Sequence, residues 1–200
     1  NDQILKNPND YEALFFRGKI YSGFHEELAL DDFNQAIHIN PGYDDALAAR
    51  GELYESQKNY DKAIEDFRKI LSKNSKDQNA LYWLSQIYLK MGQYERVLKE
   101  STELLKINPK CRSALVFRSR AFSKLEHFDS ALCDLTKSLK IGNHFESFVE
   151  RGVIYKKLGS YDEALADFDA ALEISPLCAA TWAKKACIFS FQELKDKSIA

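Results

Sequence analysis

Four histidines and four cysteines are the residues of this chain with the widest chemical reach. Metal binding would need them at ligand spacing, nucleophilic catalysis would need a Cys–His couple, and acid–base work would need facing carboxylates. None of these groupings forms. His25, His38, His127 and His144 lie in separate stretches, and none is at i, i+4 from another ligand. Cys111, Cys133, Cys178 and Cys187 make no C-x-x-C pair. They read as free thiols of a reducing, cytoplasmic compartment, with a disulfide pair as the alternative. Cys187 has only Lys184 as a foreseeable basic neighbour, which is little to activate a thiol. The carboxylate doublets Glu26-Glu27, Asp31-Asp32 and Asp44-Asp45 are sequence neighbours. On a helix such neighbours point about 100° apart, so they are solvated faces or caps. There is no Gly-rich phosphate loop. No catalytic residue, metal or cofactor is assigned, and the chain reads as a non-enzyme.

The charged pattern that does recur has a long period. Arg17, Arg50, Arg118 and Arg151 are followed by Asp32, Asp66, Asp134 and Asp167 at a nearly constant distance. The prolines keep the same ruler: Pro8, Pro41, Pro109 and Pro176 are separated by 33, 68 and 67 residues, or one, two and two copies of a 33- or 34-residue unit. A period of that size marks one supersecondary unit repeated along the chain. With Pro at position 32, the units are 11–43, 44–77, 78–111, 112–144 and 145–178. Residues 1–10 read as the tail of a preceding repeat, and 179–200 as a partial repeat that ends within its second helix. The chain looks excised from something longer, with no polar capping unit foreseen at either end.

Within the unit, position 4 is Leu14, Leu47, Leu81, Leu115, Phe148 and Trp182, and position 8 is Gly18, Gly51, Ser85, Ser119, Gly152 and Ala186. Position 11 is Tyr21, Tyr54, Tyr88, Phe122, Tyr155 and Phe189. These share one face of a first helix. Position 20 (Ala29, Ala63, Val97, Ala131, Ala164) and position 24 (Phe33, Phe67, Ser101, Leu135, Phe168) share a face of a second. Small residues at position 8 predict close approach of the two helices. Gly92 and Gly159 predict a positive φ between them. Arg at position 7 and Asp at position 23 predict an ion pair tying first helix to second, with an arginine ladder for an anionic ligand as the alternative.

The pattern resembles the tetratricopeptide repeat (TPR): large apolar, small, aromatic, then Ala-x-x-x-Phe, then Pro. Ser75 in place of Pro, Val97 with Ser101, and the Gly142-Asn143 turn depart from it. The resemblance implies an all-α, right-handed α-solenoid of antiparallel helix pairs, with a concave groove lined by the first helices. It implies a protein-binding scaffold that holds an extended or helical partner segment. The residues expected to line the groove are Phe15, Lys19, Glu52, Asn79, Tyr82, Gln86, Arg120, Lys124, Lys156 and Lys157, running from acidic to basic. Relatives that clamp the C-terminal carboxylates of heat-shock chaperones carry Lys at position 5 and Asn at position 9. No unit here has that pair, so such a clamp is not expected.

Composition narrows the partners. The first hundred residues carry 13 Lys+Arg and 17 Asp+Glu, the second hundred 15 and 13. That mild drift provides no basic footprint for nucleic acid and no polybasic surface for lipid. No apolar stretch is long enough to span a bilayer. Two other readings stay open: a regulatory or targeting arm of a larger enzyme, and homodimerisation through apolar ends carrying Trp182, Phe189 and Phe191.

Overall fold

Each apolar stripe of the repeat becomes a helix. The computed structural model describes residues 7–199, with side chains described as far as Ser190. Expectations for residues 1–6, and for the side chain of Phe191, lie outside the described residues. The helices are α1 (Tyr11–Tyr21), α2 (Glu26–Ile39), α3 (Asp44–Ser56), α4 (Tyr60–Lys73), α5 (Gln78–Lys90), α6 (Tyr94–Ile107), α7 (Arg112–Lys124), α8 (Phe128–Ile141), α9 (Phe145–Leu158), α10 (Tyr161–Ile174) and α11 (Ala179–Ile199). No strand occurs among the described residues. The helices group into two compact units, Asn1–Met91 and Gly92–Ala200, and each is taken by itself below.

In the first unit the pairs α1/α2 and α3/α4 close on the contact foreseen at position 8. A Cβ built on Gly18 would fall 2.7 Å from the ring of Phe33, and one on Gly51 would fall 2.9 Å from Phe67. The second unit repeats this in α9/α10, where a Cβ on Gly152 would lie 2.8 Å from Phe168. Small residues are there because an aromatic ring from the second helix occupies the space a side chain would need. Ala29 and Phe33 also pack against Ala49 and Leu53 of the following first helix, so one stripe serves two interfaces.

The connections repeat as faithfully as the cores. After α2, α4 and α6 the chain turns on Asn40, Asn74 and Asn108. Their side-chain oxygens accept the N–H two residues on at 3.1, 3.1 and 3.2 Å. Ser75 therefore leaves the turn intact, because Asn74 makes the same bonds as Asn40. Asp10 and Asp77 cap α1 and α5 by accepting from the N–H of Ala13 (2.9 Å) and Ala80 (2.8 Å).

Between first and second helices, four units place position 15 at positive φ: Lys58 (60°), Gly92 (71°), Glu126 (62°) and Gly159 (80°). The next N–H then returns to the position-11 carbonyl, as in Asn59 to Tyr54 (2.8 Å) and His127 to Phe122 (2.9 Å). Glycine was foreseen in this role only at 92 and 159; Lys58 and Glu126 do the same work under strain. A non-glycine residue in this region costs about 1–2 kcal/mol, of which glycine returns part as unfolded-state entropy. Lys58→Gly and Glu126→Gly should each stabilise the chain by about 0.5–1 kcal/mol. Thermal unfolding reads this, and a lowered midpoint would contradict it.

Two features depart from the repeat. The last element is one uninterrupted helix, Ala179–Ile199, with no break leading into a second helix. It has no positive-φ residue at the position where four of the other units bend. Between the fourth and fifth units the contact of positions 27 and 3, which is apolar at Ala36 and Ala46, is made instead by Ser138 and Ser147. Both serines are fully buried, and their hydroxyls pair at 2.7 Å.

Candidate interaction faces

The arginine ladder is internal. Arg50 donates Nε and Nη2 to the two oxygens of Asp66 at 2.9 and 2.7 Å. Arg118 binds Asp134 at 2.7 and 2.8 Å, and Arg151 binds Asp167 at 2.8 and 2.7 Å. Arg17 binds Asp32 at 2.8 and 2.5 Å. Such forked pairs consume the geometry that an anionic ligand would need. Three of the four arginines also reach back to the preceding second helix: Arg50 to Asn34 (2.6 Å), Arg118 to Thr102 (3.2 Å) and Arg151 to Thr136 (3.4 Å). For Arg17, Arg118 and Arg151 the hydrogen bond to the aspartate raises the guanidinium pKa, against burial that lowers it. For Arg50 burial is the largest influence, yet the bond and charge of Asp66 still leave the pKa raised.

The face of the first helices holds the remaining polar density. In the first unit it comprises α1, α3 and α5. Glu55, nearly buried, accepts from Lys90 Nζ and from Gln86 Nε2 (3.4 Å), which links α3 to α5. Glu52 is half-buried one turn away, and Asn79 is exposed at the start of α5. Tyr82 meets Trp83 edge-on at 5.6 Å. Lys19 is exposed at the end of α1. Phe15 is drawn inward instead, with its ring 5.3 Å from Tyr43 and 6.2 Å from Phe33, so it offers the face only an edge.

In the second unit the face comprises α7, α9 and α11. Arg120 Nε donates to Glu150 at 2.8 Å, and its Nη2 lies 3.6 Å from Glu146. The basic stretch foreseen here is therefore partly neutralised by the protein itself. Lys124 is exposed beyond it. Lys156 Nζ sits 3.2 Å from Cys187 Sγ, so the basic neighbour of that thiol is Lys156 rather than Lys184. Lys157 leaves the row and lies 5.7 Å over the ring of Phe128, a residue of the second helix α8. The structure thus gathers Glu55, Gln86 and Lys90 in one unit, and Arg120, Glu146 and Glu150 in the other. The partners of Arg120 stand at positions 2 and 6 of the next first helix, where the period alone does not show that they meet.

Comparison with known proteins agrees with this architecture. Tetratricopeptide repeat profiles match residues 27–79 and 145–176. A profile for anaphase-promoting complex, cyclosome, subunit 3 matches residues 56–138. No curated protein sequence matches significantly. A tetratricopeptide repeat protein from Parabacteroides merdae superposes with a TM-score of 0.83 at 20% identity, covering 94% of this chain and 76% of that one. YrrB, described as a TPR protein with an unusual peptide-binding site, gives 0.75 at 21% identity, covering 92% and 96%. MamA from Desulfovibrio magneticus gives 0.78 at 15% identity, covering 84% and 97%. At these identities the likeness is one of fold. Helix pairs closing on a small residue at position 8, turns repeated at fixed positions and matches to repeat profiles lead to one assignment: the chain belongs to the tetratricopeptide-repeat family.

Proposed function

We propose that this chain is a non-catalytic interaction scaffold that holds a segment of a partner protein along the face of its first helices. The observation that carries the reading is a half-buried polar cluster on the first helices of each unit taken by itself, Glu55, Gln86 and Lys90 in one and Arg120, Glu146 and Glu150 in the other. Charged groups held in place at the edge of water are preorganised for exchange with a partner's charges. Glu146 is the easiest of them to displace, because it is more than half exposed and 3.6 Å from Arg120. An acidic side chain of the partner would take that place, and Lys124 and Lys156 would extend the attraction. YrrB, with its peptide-binding site, supports the class of ligand. The four cysteines are free, which supports a reducing, intracellular setting.

Peptide-display selection against the chain, repeated with Arg120→Glu/Lys124→Glu, tests this. The enriched sequences should be acidic, and the variant should bind them about tenfold more weakly, or ~1.4 kcal/mol. Circular dichroism must show the variant folded. A motif that the folded variant still binds equally well, or the absence of any enrichment, would remove the first-helix face from consideration.

A further inference from the structure

A pocket of about 360 Å³ opens in the second unit between the second helices α6 and α8. Leu105, Pro109 and Leu115 give it apolar walls, and Lys106 and Lys137 bring two ammonium groups to it. Arg118 also lines it, but its charge is matched by Asp134. None of the residues foreseen for the first-helix face takes part. At the equivalent places the sequence does not pair two lysines. The positions of Lys106 and Lys137 are held by His38 and Lys69 in the first unit, and by Lys140 and Ala170 later in the second. Lys69 is paired with Glu65 at 2.7 Å. Lys106 has Glu103 at 2.7 Å, a pair exposed on both sides and so worth little. Lys137 has no ion pair among the described residues.

Local structure accounts for part of this charge and not for the rest. Lys106 and Lys140 stand in the last turns of α6 and α8, where a helix favours cations. Lys137 precedes the last turn of α8. Arg112 opens α7, where the dipole disfavours a cation, whereas α1, α3 and α9 have Glu12, Asp44 and Glu146 in their first turns. Arg112 is one turn from the wall residue Leu115, and its buried Nε has no hydrogen-bond partner among the described residues. A buried donor left unmet is destabilising. A cation that weakens its own helix, beside a pocket with two lysines, is complementary to an anion supplied from outside. We propose that the pocket binds an acidic segment of a partner protein, with carboxylates on Lys106, Lys137 and Arg112 and one apolar side chain against Leu105, Pro109 and Leu115. The walls decide the class, since a phosphate or a nucleic-acid backbone would use the cations and leave the apolar surface wet. The pocket lies off the first-helix face and does not depend on it.

The test is a display selection on the Arg120→Glu/Lys124→Glu chain, in which the first-helix face is silenced. The library holds acidic peptides built around one apolar residue. The best enriched peptide should bind about tenfold more weakly once the chain also carries Lys106→Glu/Lys137→Glu. Changing its apolar residue to alanine should weaken it by a similar factor. Both lysines are exposed, so the fold should survive, which circular dichroism checks. Lys137→Gln, a milder change, should weaken binding about threefold. Arg112→Gln should do the same while leaving the thermal midpoint unchanged or higher, because the arginine has no partner to lose at its Nε. No enrichment, or a peptide indifferent to both lysines, would overturn the proposal. A peptide that binds equally well without its apolar residue would reduce the pocket to a general anion seat and overturn it as well. A lowered midpoint with unchanged binding in Arg112→Gln would remove Arg112 from the site.

Discussion

Truncating Phe67 to alanine should destabilise the first unit by about 4 kcal/mol. The ring is fully buried and stacks on Trp83 with centroids 6.0 Å apart and planes 9° from parallel. Its loss removes the transfer energy of the ring, leaves a cavity and breaks an aromatic pair. The opposite wall of that cavity is Gly51, which has no side chain to move into it. Gly51→Ala is the diagnostic partner. Alone it gains about 1 kcal/mol of helix propensity, but it places a Cβ 2.9 Å from the ring of Phe67. That overpacking costs roughly 1–3 kcal/mol, so the net effect is destabilising. In the Phe67→Ala background the clash is gone and only the gain remains, so the same substitution reverses sign. Denaturant unfolding followed by Trp83 fluorescence in a Trp182→Phe background reads the first unit, which matters because repeat arrays need not unfold as one. A neutral or stabilising Gly51→Ala in the otherwise unaltered chain would show that the small residue is not required by the ring.

Much of this architecture was legible because the chain is its own alignment. Five copies of a unit show which positions hold their type, and in the three copies where positions 8 and 24 are Gly and Phe the pairing has one steric cause, a ring against a missing Cβ. The Arg–Asp ladder was legible for the same reason, since four copies kept both partners. Its third bond was not. The acceptor at position 25 is Asn34, Thr102 or Thr136, residue types too varied to stand out. Glycine at 92 and 159 pointed to a positive φ, but Lys58 and Glu126 hid the same conformation behind ordinary side chains, and only reading down position 15 would have exposed it. The face of the first helices was the least legible part. Position fixes the Cα–Cβ direction, but a long side chain has the reach to leave its row. Lys157 does so for the ring of Phe128, and Phe15 does so for Tyr43. Arg120 stays in its row but is claimed by two carboxylates that a period-based reading treats as separate.

Removing one half of the ladder's most enclosed rung should be nearly as costly as removing a core ring. Asp66 is 1% exposed and accepts both forks of Arg50, whose side chain is only 14% exposed and is also held by Asn34. Asp66→Ala strands that guanidinium, and a stranded buried charge costs about 3–5 kcal/mol. Asp32→Ala should cost less than half as much, because Arg17 is 29% exposed, has no hydrogen bond to a preceding helix among the described residues and can turn to water. Taking away both partners separates the cost of stranding a charge from the worth of the pair. Arg50→Met/Asp66→Leu should fall within about 1 kcal/mol of the original chain, since a buried ion pair returns little more than its desolvation cost. The sign of the pH dependence follows from Arg50, whose pKa is raised in the folded state. A group with a raised pKa gives its full stabilisation below its unfolded pKa and loses it only as pH climbs through the folded one. For an arginine that window lies beyond ordinary alkaline conditions. The gap between the original chain and Asp66→Ala should therefore stay constant from neutral pH to about pH 10. Denaturant unfolding of the four chains at both ends of that range decides the matter. A cost below about 1 kcal/mol for Asp66→Ala, or an equal cost for Asp32→Ala, would mean that enclosure by the preceding helix does not set the strength of a rung.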